Sequence, residues 1–165
     1  MSTTIKAQPV LVGALVMGVL SALPIISAGN VCCCLWVISG GLVAAYLQQQ
    51  GQDAPITPAD GALTGFLAGV CGAFAYLVIS VPIDLMLRPM EREMMRRIME
   101  NLGGSAEGFR GYAERADSVP TPVRALIGFL TMLVAGAIFS TLGGLIGVLV
   151  FRKTPPAPLD AAGSR

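Results

Sequence analysis

Residues 61–81 read GALTGFLAGVCGAFAYLVISV, a run without a single charge. Wound as an α-helix rising about 1.5 Å per residue, it is about 31 Å long, which matches a bilayer hydrocarbon core of about 30 Å. Gly61, Gly65, Gly69 and Ala73 recur at every fourth position and therefore share one face. In lipid no hydrophobic drive pulls helices together, so a row of small residues serves to let another backbone approach closely. The stretch predicts a membrane-spanning helix that packs through its small residues.

The same reading extends outward. Pro9–Ile26, Val31–Leu47 and Ala125–Phe151 are also apolar and uncharged, about 27, 25 and 40 Å long as helices. Small-residue rows return in two of them, as Ala14, Gly18 and Ala22 and as Gly136, Ser140 and Gly144. Of the 165 residues 54% are hydrophobic and only 13% charged, which excludes both an ordinary soluble domain and a disordered chain. Mean hydropathy is +0.71. The expected fold is all-α: an integral membrane four-helix bundle over 1–154, with helices at 9–26, 31–47, 61–81 and 125–151. A Pro-rich tail follows at 155–165.

Connections refine this. Ser27-Ala28-Gly29-Asn30 is a short uncharged link, so the first two helices form an antiparallel hairpin. Gly-Ala-Leu occurs at 13–15 and 61–63, and Gly-Gly-Leu at 40–42 and 143–145. One reading is a duplicated hairpin with parallel halves; the other is recurrence by composition in a Gly-rich chain. The first stretch is longer than a signal-peptide core and is interrupted by Pro24, so it is read as a retained helix.

Chemistry is sparse. Without histidine the chain can build neither a Ser-His-Asp triad nor an imidazole metal site. No phosphate-binding glycine motif is present, and a net charge of +1 gives no field for nucleic acid. Neither a cofactor nor catalysis is expected. The functional candidates are Cys32, Cys33, Cys34 and Asp84. Successive helical residues are about 100° apart, so the three cysteines fan over about 200° and cannot converge on one metal. Packing at the hairpin is the expected role of these small, soft side chains. Asp84 stands three residues past the third apolar stretch; deep in a bundle it would mark a proton or cation path. It stands instead at a helix end, four residues before Arg88.

The segment Asn30-Val31-Cys32-Cys33-Cys34-Leu35-Trp36-Val37, with Gly40-Gly41 after it, resembles small bacterial four-helix membrane proteins of no established activity. The similarity takes in Gly61-Ala62-Leu63 and Gly143-Gly144, and it implies architecture only.

Between the third and fourth helices lies a charged stretch. Over 90–102, Met90, Met94, Met95, Ile98 and Leu102 gather on one half of a helical wheel, with Arg92, Arg96, Arg97, Glu93 and Glu100 on the other. An amphipathic surface helix is expected, its methionine face meeting the interface, a partner or the bundle's own end. Seven arginines flank or lie in the 88–124 loop against four basic residues on the terminal side, which places that loop in the cytoplasm. Arg152-Lys153 pulls the other way. The functional expectation is a non-enzymatic, multi-pass protein of the bacterial inner membrane with a structural, accessory or partner-binding role. Its partners are the lipid bilayer and either further copies of itself or a larger membrane complex, and no nucleic acid. A small transporter or channel is the alternative, and a thiol-active oxidoreductase the third reading.

Overall fold

The computed structural model describes residues 5–23, 26, 30, 34–102, 111, 118–151 and 153. Four helices organise them: α1 (Ala7–Ala22), α2 (Leu35–Gln50), α3 (Pro58–Leu102) and α4 (Thr121–Phe151), the last with a π turn at Gly136–Ser140. α1 and α4 each pack on both α2 and α3, and α2 also meets α3 across the short diagonal of the bundle. Gly13 faces Ala44 while Met17 faces Gly40, so α1 and α2 run antiparallel. Gly61 faces Val148 and Gly69 faces Gly136, which makes α3 and α4 antiparallel too.

Burial is inverted relative to a soluble bundle. Gly13, Ala14, Gly18, Ser21 and Ala22 of α1 are buried, whereas Leu11, Leu15 and Val19 on the opposite face are exposed. The same holds for α3 and α4, where Val78 is 72% and Leu149 77% exposed. Leucine and valine turned outward at this density need hydrocarbon around them. The Pro58–Leu87 part of α3 and the whole of α4 are long and apolar enough to cross a membrane. α1 and α2 have 16 residues each, about 24 Å at 1.5 Å per residue. The protein is a membrane-embedded, multi-spanning helical bundle.

Several boundaries differ from the sequence reading, each for a local reason. α1 ends at Ala22 and not at Ile26: Leu23 is extended at φ −80°, ψ 121°, the conformation imposed on a residue preceding proline. α2 begins at Leu35 and runs through the glutamines to Gln50, because Gln48 and Gln49 are buried at the bundle end instead of forming a loop. α3 begins three residues before Gly61. The Thr57 amide and hydroxyl donate to Asp60 Oδ2 at 3.0 and 2.7 Å, and the Asp60 amide donates back to Thr57 Oγ1 at 3.2 Å. That reciprocal cap, with Pro58 in the first turn, fixes the start.

The largest difference lies at the other end of α3. The expected third helix (61–81) and the separate amphipathic segment (90–102) are one continuous helix, with Pro82 and Pro89 inside it. Both prolines are exposed, and each removes one amide donor from the helix ladder. α4 begins at Thr121, four residues earlier than expected, with a proline in its first turn.

Candidate functional site

The small residues form a seam along the bundle axis. Ser140, fully buried on α4, donates its hydroxyl to the Gly65 carbonyl of α3 at 2.8 Å. A β-carbon placed on Gly65 or on Gly41 of α2 would collide with the Ser140 carbonyl oxygen. One on Gly136 would lie 2.7 Å from the Gly69 carbonyl oxygen, and one on Gly61 2.8 Å from that of Gly144. On α1, a β-carbon at Gly18 would stand 2.7 Å from Ala75 Cβ. Ala14, Ala22 and Ala73 are buried beside these contacts. Gly41, Gly65 and Ser140 bring three backbones together, and the π turn carrying Ser140 sets its register.

At the hairpin, Cys32 and Cys33 lie outside the described residues. Cys34 precedes α2 in the left-handed conformation, φ 48° and ψ 39°, and its thiol is free. Neighbouring hydrogen bonds hold it there. The Cys34 amide donates to the Asn30 carbonyl at 3.1 Å, and the Trp36 amide to Asn30 Oδ1 at 3.1 Å. The Trp36 indole donates to the Ile26 carbonyl at 2.6 Å, and Asn30 Nδ2 to Ser21 Oγ at 2.9 Å. These bonds fasten the start of α2 to the end of α1. Cys71 is a free thiol on α3. Among the described residues no group of three or more Cys, Asp or Glu side chains is placed to hold a metal.

Asp84 is not isolated. It lines a half-open cleft of about 190 Å³ between α1, α3 and α4, with the polar residues Ser21, Tyr76, Ser80, Thr121 and Arg124 and the apolar or small residues Ala22, Val81, Ile83, Ala125 and Gly128. Tyr76, Ser80 and Asp84 follow one another at every fourth position and so line the wall from α3. Thr121, Arg124, Ala125 and Gly128 are the matching face of α4. Tyr76 lies over Gly128, where a β-carbon would stand 3.5 Å from the phenol oxygen. Of these polar residues the sequence reading singled out Asp84 alone. The 76-80-84 spacing was available as a signal; the contributions of α1 and α4 needed the fold.

Beyond Leu87, α3 continues as a charged extension. Glu93 Oε1 receives Arg96 at 2.8 Å and Arg97 at 2.9 Å, and Arg96 also pairs with Glu100 at 2.5 Å. Hydrogen bonds from Arg96 and Arg97 hold the Glu93 carboxyl below its ordinary value, and Glu93 in turn raises Arg96. Met90 and Met94 are exposed. The side chains of Met95, Ile98 and Leu102 lie outside the described set.

No curated protein and no solved structure matches the chain. Residues 7–107, more than half of it, match a family model described as a family of unknown function, DUF5518. The match covers α1, α2 and the whole of α3, and with them the seam glycines of those helices and the α3 wall of the cleft. The chain belongs to that family, DUF5518.

Proposed function

We propose that the protein is a non-enzymatic, four-span membrane protein with a structural or accessory role exercised through partners in the bilayer. The observation that carries this reading is the seam: Gly41, Gly65 and Ser140 bring three backbones into contact at the axis. A bundle closed by main chain leaves little room for a solute path. The rival transporter reading rests on Asp84, which lines a half-open cleft where the apolar span of α3 ends, within the continuous helix and not at a helix end as the sequence suggests. A thiol enzyme has only Cys34 and Cys71 to argue from among the described residues.

In this reading α1 and α2 cross the bilayer alongside α3 and α4, in a bacterial inner membrane, with residues 88–124 on the cytoplasmic side. A cysteine placed at Asn101 then resists an impermeant thiol reagent in intact cells, while one at Gln50 reacts; the opposite pattern reverses the orientation. The antiparallel pairs α1–α2 and α3–α4, closed by approaches of Gly13 to Gly40 and of Gly61 to Gly144, suit a duplicated hairpin whose second contact is shifted by one residue from the Gly-Gly-Leu repeat. The outward apolar faces suit further copies of the chain or a larger membrane complex. Nanodisc extraction followed by mass spectrometry tests the role directly and is expected to find a stoichiometric protein partner. Solute or ion flux in proteoliposomes that Asp84→Asn abolishes would instead establish the transporter reading.

A further inference from the structure

We propose that the cleft between α1, α3 and α4 binds the head group of a membrane lipid that carries both a phosphate and a primary ammonium. The inference does not depend on the accessory role proposed above. Four observations lead to it.

The first is charge. The cleft is lined by one carboxylate, Asp84, and one guanidinium, Arg124, with the hydroxyls of Ser21, Tyr76, Ser80 and Thr121. Such a lining complements a zwitterion, with phosphate oxygens toward Arg124 and ammonium protons toward Asp84. Arginine has five N–H donors in a planar fork and a carboxylate about four acceptor positions, so each side chain can serve a ligand in addition to protein partners. The second is position. Asp84 stands three residues before Leu87, where the apolar span of α3 ends, and Arg124 three residues after Thr121, where that of α4 begins. Both therefore lie at one membrane boundary, the depth at which lipid head groups sit.

The third is size. At about 190 Å³ the cleft is smaller than the sites of about 300–1,000 Å³ that enclose a drug-sized molecule. It can take a small polar head while the acyl chains stay outside. The fourth is surroundings. Leu85 and Val123, one residue from Asp84 and Arg124 and so about 100° round their helices, are exposed, apolar surface at the same depth suited to acyl chains. A trimethylated ammonium has the same charge but no N–H to donate and is bulkier. An anionic glycerol head group offers Asp84 hydroxyl donors but no positive charge.

The test uses the full chain in detergent, with lipids added as mixed micelles and binding read by native mass spectrometry and thermal midpoint. Phosphatidylethanolamine is expected to bind and raise the midpoint; phosphatidylcholine, which has no N–H for Asp84, and phosphatidylglycerol, which brings it no cation, should each be at least about tenfold weaker, as the loss of one charge-assisted hydrogen bond implies. Asp84→Asn and Arg124→Gln should each weaken phosphatidylethanolamine by about tenfold on the same grounds. Ser80→Ala, which leaves both charges in place, should weaken it by a smaller factor and guards against misfolding of the charge variants. Soluble phosphoethanolamine at millimolar concentration is expected to leave bound lipid in place; displacement would overturn a lipid as the occupant in favour of the free head group. Equal binding of the three lipids overturns the proposal, as does undiminished phosphatidylethanolamine binding by all three variants.

Discussion

Single residues set the separation of the helices. At Gly65 even one methyl group meets the backbone of Ser140, which cannot swing away as a flexible side chain could. Gly65→Ala is therefore expected to lower stability by about 1–3 kcal/mol, the usual cost of overpacking. Gly128→Ala places its methyl at an ordinary 3.5 Å from Tyr76 and should be neutral, or stabilising by a few tenths of a kcal/mol through helix propensity. Thermal midpoints in one detergent compare the two, and equal losses would refute the seam as the determinant. Cys34 makes the converse case. A side chain held at φ 48° carries a strain of about 1–2 kcal/mol that glycine does not. Cys34→Gly should raise the unfolding free energy by about 1 kcal/mol, and a loss would mean that the thiol contributes packing worth more than the strain. The glycine rows were legible in the sequence because small residues at every fourth position have one geometric consequence in a helix. The left-handed turn at Cys34 was not, since it follows from bonds that Asn30 and Trp36 make across the hairpin.

At the scale of the element, α3 shows what hydropathy can and cannot define. Its apolar stretch reads as a membrane helix over 61–81, yet the helix continues past Val81 through both Pro82 and Pro89. Their rings lie on the exposed side, and past them the Glu93, Arg96, Arg97 and Glu100 pairs support the helix from its surface. Which side of a helix a proline occupies depends on the rest of the bundle, so this outcome could not be read locally. The pairs give the extension a pH dependence. Glu93 is held below its ordinary value of 4.5 by Arg96 and Arg97, so the native state favours its charged form. Its contribution is present at neutral pH and is lost as pH falls through the lowered folded-state value. Carbon-13 NMR of the Glu93 carboxyl should show a midpoint below 4.5 that rises in Arg96→Gln with Arg97→Gln. An unchanged midpoint would mean that the pairs do not persist in solution. Glu93 is half-exposed at the surface of the extension, so the effect is local to it and should leave the bundle's thermal midpoint unmoved.

Taken whole, the molecule has two unlike ends. One holds the cleft, whose polar residues come from three helices, so that only its α3 wall could be recognised along the chain. The other is closed by the α2–α3 connection, residues 51–57. There the Gln49 side chain donates to the Ala54 carbonyl at 3.1 Å and accepts the Ile56 amide at 2.9 Å, folding the loop over the bundle with Ile56 buried. Two lysines from opposite ends of the described chain reach the same place. Lys6 Nζ donates to the Gly51 carbonyl at 2.5 Å and Lys153 Nζ to the Gln52 carbonyl at 2.7 Å. These carbonyls directly follow α2's last residue, Gln50, where the negative end of the helix dipole favours cations. The segments entering α1 and leaving α4 are thereby both tied to α2. Lys6→Met and Lys153→Met should each cost about 1 kcal/mol, a charge-assisted hydrogen bond discounted for solvent access. Because the acceptors are adjacent residues of one connection, loosening it with either substitution weakens what the other lysine can grip. The double variant should therefore lose less than the sum of the single losses, by about 0.5 kcal/mol or more, as expected for residues that share partners. A double-mutant cycle on unfolding free energy measures that difference. Strict additivity would show that the two lysines act independently and that the closed end is not a cooperative unit.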